Sequence, residues 1–173
     1  RYPNRKFQLY APAALLEAFE HSVPGSSTDA GDVFLRLAAA LAEKGYRRDL
    51  AQLPSDDALS ALASEMPNFG EVVSFYSGQA ALARLGESDV AHFPPVLLLG
   101  PPGIGKTRFS ERFAEALLSV CRRISLASAS AGWIITGLDR SWATAKPGEV
   151  LLTLANSPMA NAIILIDELD KAH

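Results

Sequence analysis

Between Tyr10 and about Leu85 apolar residues recur every three or four positions, as in Ala14, Leu15, Ala18 and Phe19 and again in Val33, Phe34, Leu37 and Leu41. That spacing lines one face of a helix. Pro24, Gly25, Ser26 and Ser27 separate the first two helices, with Thr28 or Asp29 as the N-cap of the second, and Pro54, Ser55 and Asp56 open the third. Four helices are expected before Gly86. From Phe93 the pattern changes to an apolar run, Pro94-Pro95-Val96-Leu97-Leu98-Leu99, which has no polar alternation and ends in glycine. A short run of that kind predicts a parallel strand buried on both faces. A helix from about Lys106 to Cys121 should follow, then a strand near Ile124 to Ala127, a helix from about Gly148 to Asn156, and a strand over Ala162 to Ile166. Alternating strands and helices predict an α/β fold, a parallel sheet with flanking helices, preceded by a small helical region. The division falls near residue 66, giving a helical part over 1–66 and an α/β part over 67–173.

Composition narrows the possibilities. Of 173 residues, 49% are hydrophobic and 20% charged, which is enough apolar material for a folded core. The net charge of −3 supplies no basic field for a phosphate backbone, so nucleic acid is an unlikely partner on this ground. Cys121 is the only cysteine, which excludes an internal disulfide; it is expected to be a small core residue in a reducing, cytoplasmic setting. No apolar run approaches the roughly 18 residues that span a bilayer, and RYPNRKFQLY has no signal-peptide core. His21, His92 and His173 lack metal-ligand spacing. The chain begins at Arg1 and stops after DELDKAH with no further strand, so a piece of a longer protein is expected.

The chemistry concentrates in two places. Gly100-Pro101-Pro102-Gly103-Ile104-Gly105-Lys106-Thr107 fits the phosphate-binding pattern G-x-x-x-x-G-K-[ST], between a predicted strand and a predicted helix. Its glycines let backbone N–H groups turn inward around phosphate oxygens, and the helix that follows adds the partial positive charge of its N-terminus. Lys106 carries an ammonium for the β and γ phosphates, and the Thr107 hydroxyl suits one coordination position of Mg²⁺. About sixty residues downstream, Ile163-Ile164-Leu165-Ile166 delivers Asp167 and Glu168 to the C-terminal end of a strand, the edge where ligands gather in α/β sheets. Asp167 is placed to hold Mg²⁺, Glu168 to polarise the water that attacks the γ-phosphate. A second acid at this point favours hydrolysis over transfer to a substrate hydroxyl, as in a small-molecule kinase.

GPPGIGKT followed by IILIDELDK resembles the Walker A and Walker B elements of AAA+ ATPases, and the stretch between them resembles the ATPase module of Lon-type proteases. Such modules carry a glycine, an aromatic residue and then Pro-Gly before the second element; Gly137, Trp142, Pro147 and Gly148 match that order. The resemblance covers about Pro67 to His173. It implies ATP and Mg²⁺ as cofactors, a homo-oligomeric ring, hexameric by family likeness, and a polypeptide substrate gripped by Trp142 in a pore loop. Ala143 and Thr144 depart from the bulky aliphatic residue and glycine that follow the aromatic in Lon-type loops; a partly buried anchor is the other reading of Trp142. Trp133, Ile134 and Ile135 are expected in the core. Asn68-Phe69-Gly70 stands where AAA+ proteins set an aromatic-glycine segment against adenine, so Phe69 either stacks on the base with Gly70 beside it or serves as a core staple. The function implied is ATP binding and hydrolysis coupled to protein unfolding, remodelling or Lon-like proteolysis. The alternatives are a DNA-directed motor or an ATP-gated assembly module. The polar sensor, arginine finger, helical lid and any Ser-Lys peptidase domain would lie past His173, so the fragment itself is expected to be poorly active.

Overall fold

The computed structural model describes residues 6–20, 29–86, 90, 92–126, 131–137 and 146–171. The N-terminal part contains the short strand β1 (Lys6–Gln8), helices α1 (Pro12–Glu20) and α2 (Asp29–Lys44), strand β2 (Arg47–Asp49), and helices α3 (Asp56–Glu65) and α4 (Gly70–Leu85). Among the described residues four α-helices thus precede Gly86. Their starts follow local chemistry: Ser55 accepts the Ala58 N–H at 3.1 Å, and Asp56 and Asp57 lie in the first turn, where the helix dipole favours acids. The antiparallel pairing of β1 with β2, Phe7 opposite Arg48, was not expected. Three-residue strands reading KFQ and RRD carry no periodicity.

The second half contains α5 (Lys106–Ala116), β3 (Cys121–Ser125), α6 (Ala131–Thr136), α7 (Glu149–Asn156) and β4 (Ile163–Asp167). β3 and β4 pair in parallel, from Cys121 opposite Ile163 to Ser125 opposite Asp167, and α5 packs against both. This is the α/β texture predicted, with three corrections. The first helix ends at Ala116 instead of running to Cys121, because Leu118 takes a left-handed φ of 52° that no helix accommodates. The next strand accordingly begins at Cys121, three residues earlier than expected. The run 93–99 is not a strand. No partner strand lies beside it among the described residues, and an extended backbone without a ladder leaves its polar groups to solvent. Phe93 and Leu98 pack on the core, whereas Leu97 is 65% and Leu99 82% exposed.

The main core joins Leu59, Leu62 and Met66 of the α3 side to Phe69, Val73 and Tyr76 around α4 and to Phe109, Phe113 and Leu117 of α5. Phe113 stacks on Tyr76 at 4.4 Å between centroids, and Phe109 on Phe69 at 4.5 Å. Each fully buried aromatic of this kind contributes about 1.5–3 kcal/mol by burial. A smaller cluster sets Leu37 and Leu41 of α2 against Ala155 of α7, and the Tyr10 hydroxyl donates to the Leu41 carbonyl at 2.7 Å.

Between the two clusters Arg48 is 3% exposed with no carboxylate among the partners found for it. Its guanidinium donates to the Ser157 carbonyl at 2.6 Å, the Ala155 carbonyl at 3.4 Å, the Gly45 carbonyl at 3.2 Å and the Leu154 carbonyl. Burial pulls its pKa below the usual arginine value, and the C-terminal carbonyls of α7 compensate the charge. Next to it the Ala160 N–H donates to the Asp49 carbonyl at 2.8 Å, and the Ala51 N–H to Asn161 Oδ1 at 2.7 Å. The segment leading into β4 is therefore tied to β2.

Trp133 does not enter the core: it is 60% exposed, with Ile134 and Ile135 half-buried. α6 is only six residues long and cannot cover all of its apolar side chains. The reason for the glycine spacing around α6 is close approach. Gly137 (φ 87°) and Pro147 form an isolated antiparallel bridge, and a Cβ on Gly148 would lie 2.6 Å from the Thr136 carbonyl carbon and 2.7 Å from the Gly137 nitrogen.

Candidate functional site

Gly105 makes the turn into α5 possible. It adopts φ 95° and ψ 19°, a left-handed conformation in which an L side chain is strained, and it is the N-cap of the eleven-residue helix that starts at Lys106. The Gly105 carbonyl accepts the Phe109 N–H at 2.8 Å. Lys106 Nζ folds back over the turn, donating to the carbonyls of Gly100 at 2.8 Å and Pro101 at 3.0 Å. Pro101, Pro102 and Gly103 are exposed; Ile104 and Thr107 are half-buried. A glycine turn opening a helix, with an ammonium held over its mouth by weak acceptors, suits the phosphates of a nucleotide.

The acids lie at the far end of β4, the strand on which α5 packs. Asp167 closes the strand and pairs with Arg123 of β3 at 2.9 Å. Glu168 follows in a left-handed conformation, φ 59°, unusual for a residue with a side chain. Its N–H donates to Asp167 Oδ1 at 2.9 Å. Its carboxylate accepts from Lys171 Nζ at 2.5 Å and from the Ser125 hydroxyl at 2.6 Å. Those two bonds, Lys171 first, hold the Glu168 carboxyl below the usual glutamate range, and the Lys171 ammonium is raised in return. Glu168 is thus ionised at neutral pH.

Ser125 and Arg123 were not singled out by the sequence; Lys171 and Asn68 entered only as the ends of IILIDELDK and Asn68-Phe69-Gly70, with no role of their own. Ser125 carried a usable signal, since a strand paired in register with β4 must end beside Asp167; Asn68 Nδ2, which donates to the Ile104 carbonyl at 2.9 Å, carried none. Phe69 is 4% exposed, with its ring stacked on Phe109 at an interplanar angle of 13°. It lies in the core here, so adenine stacking is no part of the function proposed below. Gly70 opens α4. Trp142 lies outside the described residues. Burial pushes the Cys121 thiol up, away from nucleophilic character. Among the described residues no group of three or more His, Cys, Asp or Glu side chains is placed to hold a metal by itself, and no helix is long and apolar enough to cross a membrane. Any Mg²⁺ here would rest on Thr107, Asp167 and the nucleotide's own oxygens, a donor set of hard oxygens suited to that ion.

Residues 95–173 match the family described as AAA domain (dynein-related subfamily). Over that segment the chain is similar to AAA domains and to Lon proteases. The chain is similar to Lon protease of Metamycoplasma arthritidis, 37% identical over 82 residues that make up 47% of this chain and 10% of the relative. With Lon protease 2 of Thermus thermophilus the identity is 35% over 96 residues, 54% of this chain and 12% of the relative. Lon protease 1 of Sorangium cellulosum is 38% identical over 82 residues, again 47% of this chain and 10% of the relative. The chain spans about a tenth of the length of these curated relatives. The matched segment contains both the Gly100–Thr107 turn and the acids at the end of β4.

Proposed function

We propose that this chain binds and hydrolyses ATP and that, in the longer protein, hydrolysis drives the unfolding or remodelling of a polypeptide in the manner of a Lon-type machine. The observation that carries the reading is the packing of α5, which opens on the Gly100–Thr107 turn, against β4, which ends in Asp167 and is followed by Glu168. On this reading α5 would carry the phosphate cradle, and β4 the two acids, toward the same edge of the sheet. Lys106 would leave its carbonyl acceptors for the β and γ phosphates. Thr107 and Asp167 would hold Mg²⁺, which neutralises charge on the phosphate oxygens when bound. Glu168, held ionised, would accept the proton of the attacking water, and its bonds to Ser125 and Lys171 set where that carboxylate stands. Trp142, between the clasped ends at Gly137 and Pro147, would contact substrate in a ring of identical subunits. A cytoplasmic setting fits a single protonated thiol.

The test is ATP hydrolysis by the full-length gene product with and without unfolded casein, repeated with Glu168→Gln and Trp142→Ala. Turnover stimulated by casein, reduced about a hundredfold or more in Glu168→Gln with ATP binding retained, and unstimulated in Trp142→Ala, is the expected result. Turnover indifferent to casein and stimulated by DNA, or by neither, would replace the polypeptide motor with a DNA-directed or assembly role.

A further inference from the structure

The 3-10 turn Pro67–Phe69 and the end of α3 press on α5 and its glycine turn at successive residues. Glu65 pairs with Arg108 at 3.0 Å and with Arg112 at 2.7 Å. Met66 Cε would stand 3.3 Å from a Cβ built on Gly105, and the Phe69 ring is stacked on Phe109. These four contacts, made by Glu65, Met66 and Phe69, are ordinary packing and ion pairing. Asn68 differs from them. It is exposed, and its amide donates at 2.9 Å to the Ile104 carbonyl, in the glycine turn itself.

The consequence follows from peptide geometry. The Ile104 carbonyl and the Gly105 N–H belong to one planar trans unit and point in opposite directions. Fixing the carbonyl toward the 3-10 turn fixes the N–H away from it. On its other side Gly105 is fixed by its own carbonyl, which accepts the Phe109 N–H at 2.8 Å. Gly105 has the widest conformational freedom of any residue type, and Asn68 removes the rotation that the helix does not. Water could satisfy the Ile104 carbonyl equally well, so the bond adds little to folding; what it adds is direction.

We propose that Asn68 is a positioning residue for phosphate binding, holding the Ile104–Gly105 peptide so that the Gly105 N–H is preset as a phosphate donor. This rests on the reading of Gly100–Thr107 as a nucleotide site. It assigns the segment before α4 a role toward the phosphates, while Phe69 beside it stays in the core.

The experiment compares the binding of ATP, ADP and adenosine to the full-length gene product carrying Asn68→Ala, Asn68→Asp, Asn68→Gln or, as a control, Lys106→Ala. Loss of one such bond should lower ATP and ADP affinity about fivefold in Asn68→Ala. Asn68→Asp, which keeps the shape and presents only acceptors to the Ile104 carbonyl, should lose at least as much. Asn68→Gln should regain part of it. Adenosine affinity should stay as in the wild type, and the melting temperature within about 2 °C, because the side chain is exposed. Wild-type ATP affinity in Asn68→Asp, or equal losses for ATP and adenosine, would overturn the proposal. If Lys106→Ala lowers ATP affinity while Asn68→Asp does not, only the role of Asn68 falls; if the wild type binds no ATP, the nucleotide reading falls and takes this one with it.

Discussion

Replacing Arg48 by methionine tests whether a buried cation can be held by a helix end alone. The substitution keeps an unbranched apolar stem and removes the charge and every donor. Hydrogen bonds from charged groups contribute about 1.5–3 kcal/mol each, and the guanidinium serves four carbonyls. Their simple sum overshoots, because burying the cation has a cost that disappears with it, and because methionine can fill part of the space. The carbonyls of Ala155 and Ser157 would nevertheless lose a donor in a site where Ala155 is fully buried and Ser157 nearly so. A net loss of about 3 kcal/mol is expected, which for a chain of this size lowers the melting temperature by about 6–12 °C. Arg48→Lys keeps the charge, yet one ammonium cannot span from the Gly45 carbonyl to the end of α7, so it should give about half that loss. Thermal unfolding followed by circular dichroism reads both, and hydrogen exchange across residues 154–161 should rise in each variant. A drop below about 1 °C in Arg48→Met, or a wild-type melting temperature in Arg48→Lys, would refute the argument.

Two further outcomes follow from geometry. The Glu65 carboxyl is held below the ordinary glutamate range by Arg112 first and Arg108 second. A depressed folded pKa contributes stability that is present above the unfolded value of 4.5 and is lost as pH falls through the folded value. Urea melts of the wild type should therefore lose stability more steeply below about pH 4.5 than those of Glu65→Gln, and parallel curves would show the pair to be inert. Gly148→Ala places a methyl group against the Ile135 carbonyl and the Gly137 nitrogen, and the overpacking should cost about 1–3 kcal/mol in a thermal melt, whereas Ala on exposed Gly132 should cost far less.

The parts of the fold that the sequence made legible are those whose causes are local. Ser55 with Asp56 and Asp57 is enough to begin α3, and four apolar residues before two acids are enough to place β4 within a residue of its expected bounds. The turn into α5 announces itself through Gly105 and its neighbours. Causes that lie far along the chain were invisible. Residues 93–99 have the side chains of a buried strand, but a strand exists only beside another strand. β1 and β2 exist only because residues some forty positions apart meet. Arg48, a charged residue between Arg47 and Asp49, carries no mark of burial, because what buries it is the end of a helix more than a hundred residues later. Trp133 carried the opposite signal: flanked by Ile134 and Ile135 it looks like core, and six residues of helix cannot turn all three inward. In the candidate site, residue types announced phosphate and acid chemistry, while the partners that aim those groups, Asn68, Ser125 and Lys171, became visible only when distant segments were side by side.

The bridge between Gly137 and Pro147 gives α7 a mechanical character. The helix is a rod of eight residues, about 12 Å long, clamped at one end by that bridge and at the other by Arg48. The second clamp ties the far end of α7 to β2, and only the few residues from Ser157 to Ala162 separate it from β4 and the two acids at its tip.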